Sequence, residues 1–148
     1  MRLCFALAVL VPLLAFAQDT PSIAPTASSD NAEVFRNVVI AGGKSLLLES
    51  SIDFANASAV AVTMVCTTCT SNATSLASAG LVLQARWVIP NAELVVPTET
   101  KNATSFTFYD AGNATFAVFG SQFRLMLQNR GTQGVLIQQI TFFRRGGT

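Results

Sequence analysis

Period-two patterning constrains this chain more than any other feature, and residues 81–89, Leu-Val-Leu-Gln-Ala-Arg-Trp-Val-Ile, show it most plainly. Successive side chains of an extended segment point to opposite faces, so Leu81, Leu83, Ala85, Trp87 and Ile89 share one side. Val82, Gln84, Arg86 and Val88 share the other. The first set belongs in a core. The spacing predicts a central strand over 81–89 with Trp87 inside, and no stretch offers helix caps with a 3.6-residue period.

Similar short runs surround this one. Residues 33–41 and 44–49 read as strands joined at Gly42-Gly43, and 59–66 alternates Val60, Val62, Met64 and Cys66 against Ala59, Ala61, Thr63 and Val65. A Ser, Thr and Ala loop follows over 67–80. Residues 93–96 form a short strand stopped by Pro97, which suits an edge because proline cannot donate to the ladder. Residues 105–109 and 115–119 read as a hairpin about the turn Asp110-Ala-Gly-Asn113. Residues 122–128 put Phe123, Leu125 and Leu127 inward, and 135–143 returns with Gln138-Gln139 breaking its parity, which predicts a bulge. Eight or nine short strands without a helix predict an all-β fold, an antiparallel β-sandwich of jelly-roll type over 33–145 with a tail over 146–148.

The closing hairpin runs Phe123-Arg-Leu-Met-Leu-Gln-Asn-Arg-Gly-Thr-Gln-Gly-Val-Leu-Ile-Gln-Gln-Ile-Thr-Phe-Phe. It resembles the last two strands of galactose-binding-like jelly-roll modules, in which one strand ends in Asn-x-Gly and its partner finishes the domain. The resemblance implies a fold and carries no ligand motif with it.

Ahead of the sandwich, Met1-Arg2, an apolar run over 3–14 and Ala15-Phe16-Ala17, with small residues at its first and last positions, have the order of a secretory signal peptide over 1–17. The apolar run contains Pro12 and is shorter than the roughly twenty residues of a membrane-spanning helix, so cleavage after Ala17 and a secreted product are expected. Residues 18–32, rich in Ser, Thr and Pro, read as a disordered leader or linker. Without Arg2 the eight remaining basic residues balance eight acidic ones, which gives no long-range pull toward nucleic acid.

Cys4 leaves with the signal, and Cys66-Thr-Thr-Cys69 remains. In an exported chain this spacing suggests a local disulfide, whose short loop stabilises by about 2 kcal/mol at most. Redox work wants the motif at a helix start, and zinc wants about four ligands. The chain contains no histidine, so the commonest general base is missing. The acids Glu49, Asp53, Glu93, Glu99 and Asp110 would be the material of a carboxylate glycoside hydrolase. No glycine-rich phosphate loop is present.

Four Asn-Ala-Ser/Thr triplets, at Asn56, Asn72, Asn102 and Asn113, are possible N-glycosylation acceptors in expected loops. Asp110 and Asn113, with Asp53 elsewhere, could supply oxygens to calcium, although such residues ordinarily form turns. No other cofactor is expected. Tyr109, Arg86 and Gln84 are the candidate ligand contacts on outward faces. Apolar residues on those faces, Val39, Leu47, Val65, Val88, Phe119 and Phe143, exceed the needs of one core and suggest a protein partner or self-association. Arg144-Arg145 reads as a basic tail after the last strand.

These residues predict a non-catalytic exported binding or structural protein, with a small carbohydrate-binding module as the alternative and a hydrolase behind both. N-terminal sequencing of the exported protein checks the processing step. The expected first residues are Gln18-Asp19-Thr20, and a chain that still begins at Met1 would remove the secretory reading.

Overall fold

Alternation becomes strand wherever it runs unbroken for six residues or more. The computed structural model describes residues 20–66, 80–89, 94–102 and 112–146. They form β1 (Ser22–Ile23), β2 (Ala27–Ser28), β3 (Ala32–Ile40), β4 (Ser45–Asp53), β5 (Ala59–Cys66), β6 (Leu81–Ile89), β7 (Leu94–Asn102), β8 (Gly112–Ala117), β9 (Gln122–Asn129) and β10 (Val135–Arg145). A first sheet has the order β1-β4-β9-β6-β7 and a second the order β2-β3-β10-β5-β8. β3 pairs with β10, β4 with β9, β5 with β8 and β6 with β7, all antiparallel. That is one long ribbon, rolled up until β10 also meets β5 and β9 also meets β6. The rolled ribbon is the jelly roll that the sequence predicts.

The inner faces meet in one core. Phe123 sits at its centre, with ring centroids 5.0 Å from Trp87, 5.2 Å from Phe142 and 5.9 Å from Phe54. The tilted and edge-on arrangements are those that aromatic quadrupoles favour. Trp87 is fully buried, as its parity predicts, and its Nε1 has no hydrogen-bond partner among the described residues. An orphaned donor costs about 1–3 kcal/mol. Burying an indole of about 200 Å² contributes roughly 5 kcal/mol, so packing outweighs the lost bond.

The predicted bulge is present. In β10 the buried parity passes from Val135 and Ile137 to Ile140 and Phe142, and the ladder with β5 shifts between Ile137 and Gln139. β3 changes in step, from Glu33 and Phe35 to Val38 and Ile40, through Asn37 in the left-handed region at φ 53°. The polar residues Arg36, Asn37, Gln138 and Gln139 take up the change of face.

Other differences have local causes. Residues 20–32, expected as a leader, lie along the sheet edges. The Leu47 N–H donates to Pro21 O at 2.9 Å, and Val34 O accepts from the Thr26 backbone N–H at 2.7 Å and its hydroxyl at 2.8 Å. β7 passes Pro97 and continues to Asn102, with a register shift opposite Ala85 and Arg86. Its place at the end of the sheet order is where a residue without an N–H is tolerated. Gly112 and Asn113, expected in a turn, already belong to β8, whose ladder is with β5. The other half of that expected hairpin, 105–109, lies outside the described residues, as do most of the 67–80 loop and the 1–17 segment.

The Asn-x-Gly of the closing hairpin acts as a staple. Asn129 is 2% exposed; its Nδ2 donates to Ile40 O at 3.1 Å and Gln133 O at 2.7 Å, and its Oδ1 accepts from Gly131 N–H at 2.9 Å. Gly80 lies against this loop at φ 84°, where an added Cβ would come within 2.6 Å of Gly131 N. Among the described residues there is no helix long and apolar enough to cross a membrane.

Replacing Asn129 by Ala removes all three bonds, including the buried one to Ile40 O. The expected loss is about 2–3 kcal/mol in urea unfolding, at an unchanged slope. A loss below half a kcal/mol would show that the loop holds itself without this side chain.

Candidate functional site

Register decides which outward side chains share a surface. On the outer face of the first sheet, Leu47, Met126, Gln84 and Thr100 lie in one row across β4, β9, β6 and β7. Glu49, Arg124, Arg86 and Pro97 make the next row, and Ser45, Gln128 and Val82 begin the row on the other side. Gln84 and Arg86, both singled out from sequence, therefore stand near the middle of this face. Its apolar members are shielded: Met126 is 4% exposed and Val82 5%, although neither belongs to the central core.

The polar side chains hold one another in place. Arg86 Nε donates to Gln84 Oε1 at 3.0 Å, and Gln84 Nε2 donates to Thr100 Oγ1 at 3.4 Å. Arg124 lies 3.7 Å from the Glu49 carboxylate, a partly exposed pair whose stabilisation is below about 1 kcal/mol. Arg86 and Arg124 are direct cross-strand neighbours, which places two like charges side by side. Glu49 in β4 closes the arginine row on one side, whereas Glu99 of β7 pairs with the inward-facing Ala85 and does not share this face. At one end the face runs into an open cleft of about 490 Å³ lined by Gly43, Lys44, Ser45, Gln128, Asn129 and Arg130.

A second cluster is structural. Glu33 is fully buried in β3 of the second sheet and accepts hydrogen bonds from Ser50 Oγ, Ser51 Oγ and the Ser51 N–H, all in β4 of the first. Both carboxylate oxygens are thus used across the gap between sheets. An open groove of about 580 Å³ beside it is lined by Ser28, Ser29, Asp30, Ser51, Ile52, Asp53 and Arg144. Asp53 makes its own turn, Oδ1 accepting from Ala55 N–H at 2.8 Å.

The remaining candidates separate. Asp53 ends β4 of the first sheet, Asn113 lies in β8 of the second, and Asp110 lies outside the described residues. Among the described residues no group of three or more metal-ligating side chains occurs. Asn56 is exposed in the turn after β4; Asn102 ends β7 and Asn113 lies in β8, both in strands and not in the loops expected. Cys66 ends β5. Tyr109, Asp110, Cys69, Asn72 and Glu93 lie outside the described residues. Arg124, Glu49, Gln128 and Glu33 were not read as one site or clamp from sequence. The parity of 122–128 carries the signal for Arg124 and Gln128, once β9 is known to lie beside β6.

No protein-family model matches the chain, and no curated protein is significantly similar to it.

Glu33→Ala leaves two hydroxyls and one N–H facing a cavity, and the expected cost in urea unfolding is about 2–4 kcal/mol. Glu33→Gln keeps the shape and one acceptor and should cost less. Equal stability of Glu33→Ala and the parent would mean that the carboxylate does not tie the sheets together.

Proposed function

We propose that this chain is an exported, non-catalytic β-sandwich that works by binding, and that its ligand is a saccharide held on the outer face of the first sheet. The observation that carries this reading is the alignment of Gln84, Arg86, Arg124, Glu49 and Thr100 in two adjacent rows over four strands. Sugars present many hydroxyls in a plane, and this face answers with donors and acceptors whose positions are set by ladders and by mutual hydrogen bonds. Leu47, half-buried beside Met126, adds apolar surface for the C–H side of a ring.

The arrangement of acids supports binding over hydrolysis. Glu49 and Glu99 lie three strand spacings apart, about 14 Å, and Glu99, paired with inward-facing Ala85, takes the other face of the sheet, so the two do not flank one glycosidic bond. Glu33 is clamped by serines, and Asp53 is engaged in its turn.

A second reading, a protein partner or a second copy on the other face, has its own support. Val39 and Phe143 on the outer face of the second sheet are 66% and 40% exposed, and Phe119 in the loop after β8 is 60% exposed. Light scattering at rising concentration separates the two: a stable dimer favours the apolar face.

A glycan array on the chain from Gln18 onward tests the first reading. Gln84→Ala and Arg86→Ala should each weaken saccharide binding about tenfold or more, the usual effect of losing a hydrogen bond to a charged or fixed polar group. No retained glycan, or variants that bind like the parent, would end it.

A further inference from the structure

We infer that the saccharide is acidic, and that its carboxylate or sulfate sits between Arg86 and Arg124. This rests on the proposal that the outer face of the first sheet is a saccharide site, and it adds the chemical class of the ligand.

The starting point is the cost of the pair. Arg86 and Arg124 face each other across β6 and β9, in the interior of the sheet. Cross-strand neighbours have Cβ atoms about 5 Å apart, and like charges at that separation destabilise the ladder. The chain reduces the cost on one side only loosely, with Glu49 3.7 Å from Arg124. On the other side it spends a neutral acceptor, Gln84 Oε1, on Arg86 Nε at 3.0 Å. That bond fixes the plane of the Arg86 fork. Two forks held side by side over a sheet form a site for a planar or tetrahedral anion, since guanidinium meets carboxylate and sulfate through paired N–H groups.

The surroundings exclude a bare inorganic ion as the best fit. An anion bound between the arginines would have Glu49 at its margin, which repels further negative charge and accepts hydroxyls. Gln84 and Thr100 are likewise hydroxyl partners one row away, and Gln128 and Ser45 lie one row further on the same side. The face thus asks for one negative group flanked by alcohols, which is the composition of a uronic acid or a sulfated sugar. The site also extends beyond one ring. Gln128 lies four residues along β9 from Arg124, about 14 Å at the rise of a strand, and the cleft with Lys44 and Arg130 begins there. A chain of repeating acidic units would meet the arginine pair first and the Lys44–Arg130 cleft next.

Isothermal titration of the chain from Gln18 onward uses three probes: polygalacturonate for carboxylates, heparin for sulfates, and xyloglucan as the neutral chain. The expected result is binding of one or both anionic polymers at least tenfold tighter than xyloglucan, weakening as salt rises from 50 to 300 mM as screening requires. The preferred anionic polymer identifies the acid group. Arg86→Ala and Arg124→Ala should each lower that affinity at least tenfold. Arg124→Lys, which keeps the charge and loses the fork, should lower it by about threefold or more. Arg36→Ala, an equal loss of charge on the opposite sheet, should leave it unchanged, with all variants checked for an unaltered β-sheet circular dichroism spectrum. Equal affinity for xyloglucan and the anionic polymers would overturn the acidic class and leave the saccharide site standing. Binding to none of the three, with none on the array, would overturn both. A loss with Arg36→Ala as large as with Arg124→Ala would show attraction by total charge and overturn the site.

Discussion

Among the described residues, the long strands of both sheets turn one parity toward a shared core with the ring of Phe123 at its centre, and the rest of the molecule follows from that. Phe123 packs on Phe54, Trp87, Phe116 and Phe142, which come from both sheets and from the turn after β4. A one-residue slip anywhere in the ladder would turn the apolar set of that strand into water. Tight interdigitation leaves no room to absorb the slip by small adjustments, since protein interiors are packed like crystals. The chain instead makes the change of parity in β3 and β10 together, where Asn37 and Gln138 lie opposite each other. Asparagine is among the few residues that enter the left-handed region at modest cost, and its φ of 53° there follows from that demand.

Two polar clips close what the aromatic cluster cannot reach. Glu33 ties β3 to β4 across the gap between sheets, and Asn129 ties the β9–β10 connection to the end of β3. Both are buried, and both use their acceptors and donors fully, which is the condition for a buried polar group to stabilise a fold. Their chemistry differs with their task. The N–H and two hydroxyls of a bulged strand edge need a double acceptor, while a loop with exposed carbonyls needs a double donor.

How much of this was legible depends on whether the information lies along one strand or between two. The bounds of β5 and β6 and the buried Trp87 follow from alternation within eight or nine residues. The bulge in β10 was legible too, because two glutamines interrupt a run of isoleucines. β1 and β2 were not, since two residues carry no period and their Ser- and Ala-rich composition reads as linker; they are strands only because sheet edges lie beside them. Glu33 gave no signal, for its partners Ser50 and Ser51 lie seventeen and eighteen residues away in another sheet. Gln84 and Arg86 could be placed on an outward face, yet Arg124 joins them only through the β6–β9 ladder. A site assembled across strands is a property of topology, and single-strand parity supplies half of it.

The two outer faces then part by composition. Apart from the bulge, the second sheet turns Val34, Thr141, Thr63, Phe143 and Ala61 outward, with Thr141 and Ala61 buried even there. The first sheet turns out two arginines, a glutamate and two glutamines around shielded Met126 and Val82. Long arginine and glutamine side chains can cover apolar neighbours with their stems while their polar ends stay in water. Stems lying flat fix the charged ends near the surface and remove much of the rotamer freedom that would otherwise be lost on contact with a ligand. The same packing that shields a methionine therefore also orders the polar rows above it, and holds Arg86 beside Arg124.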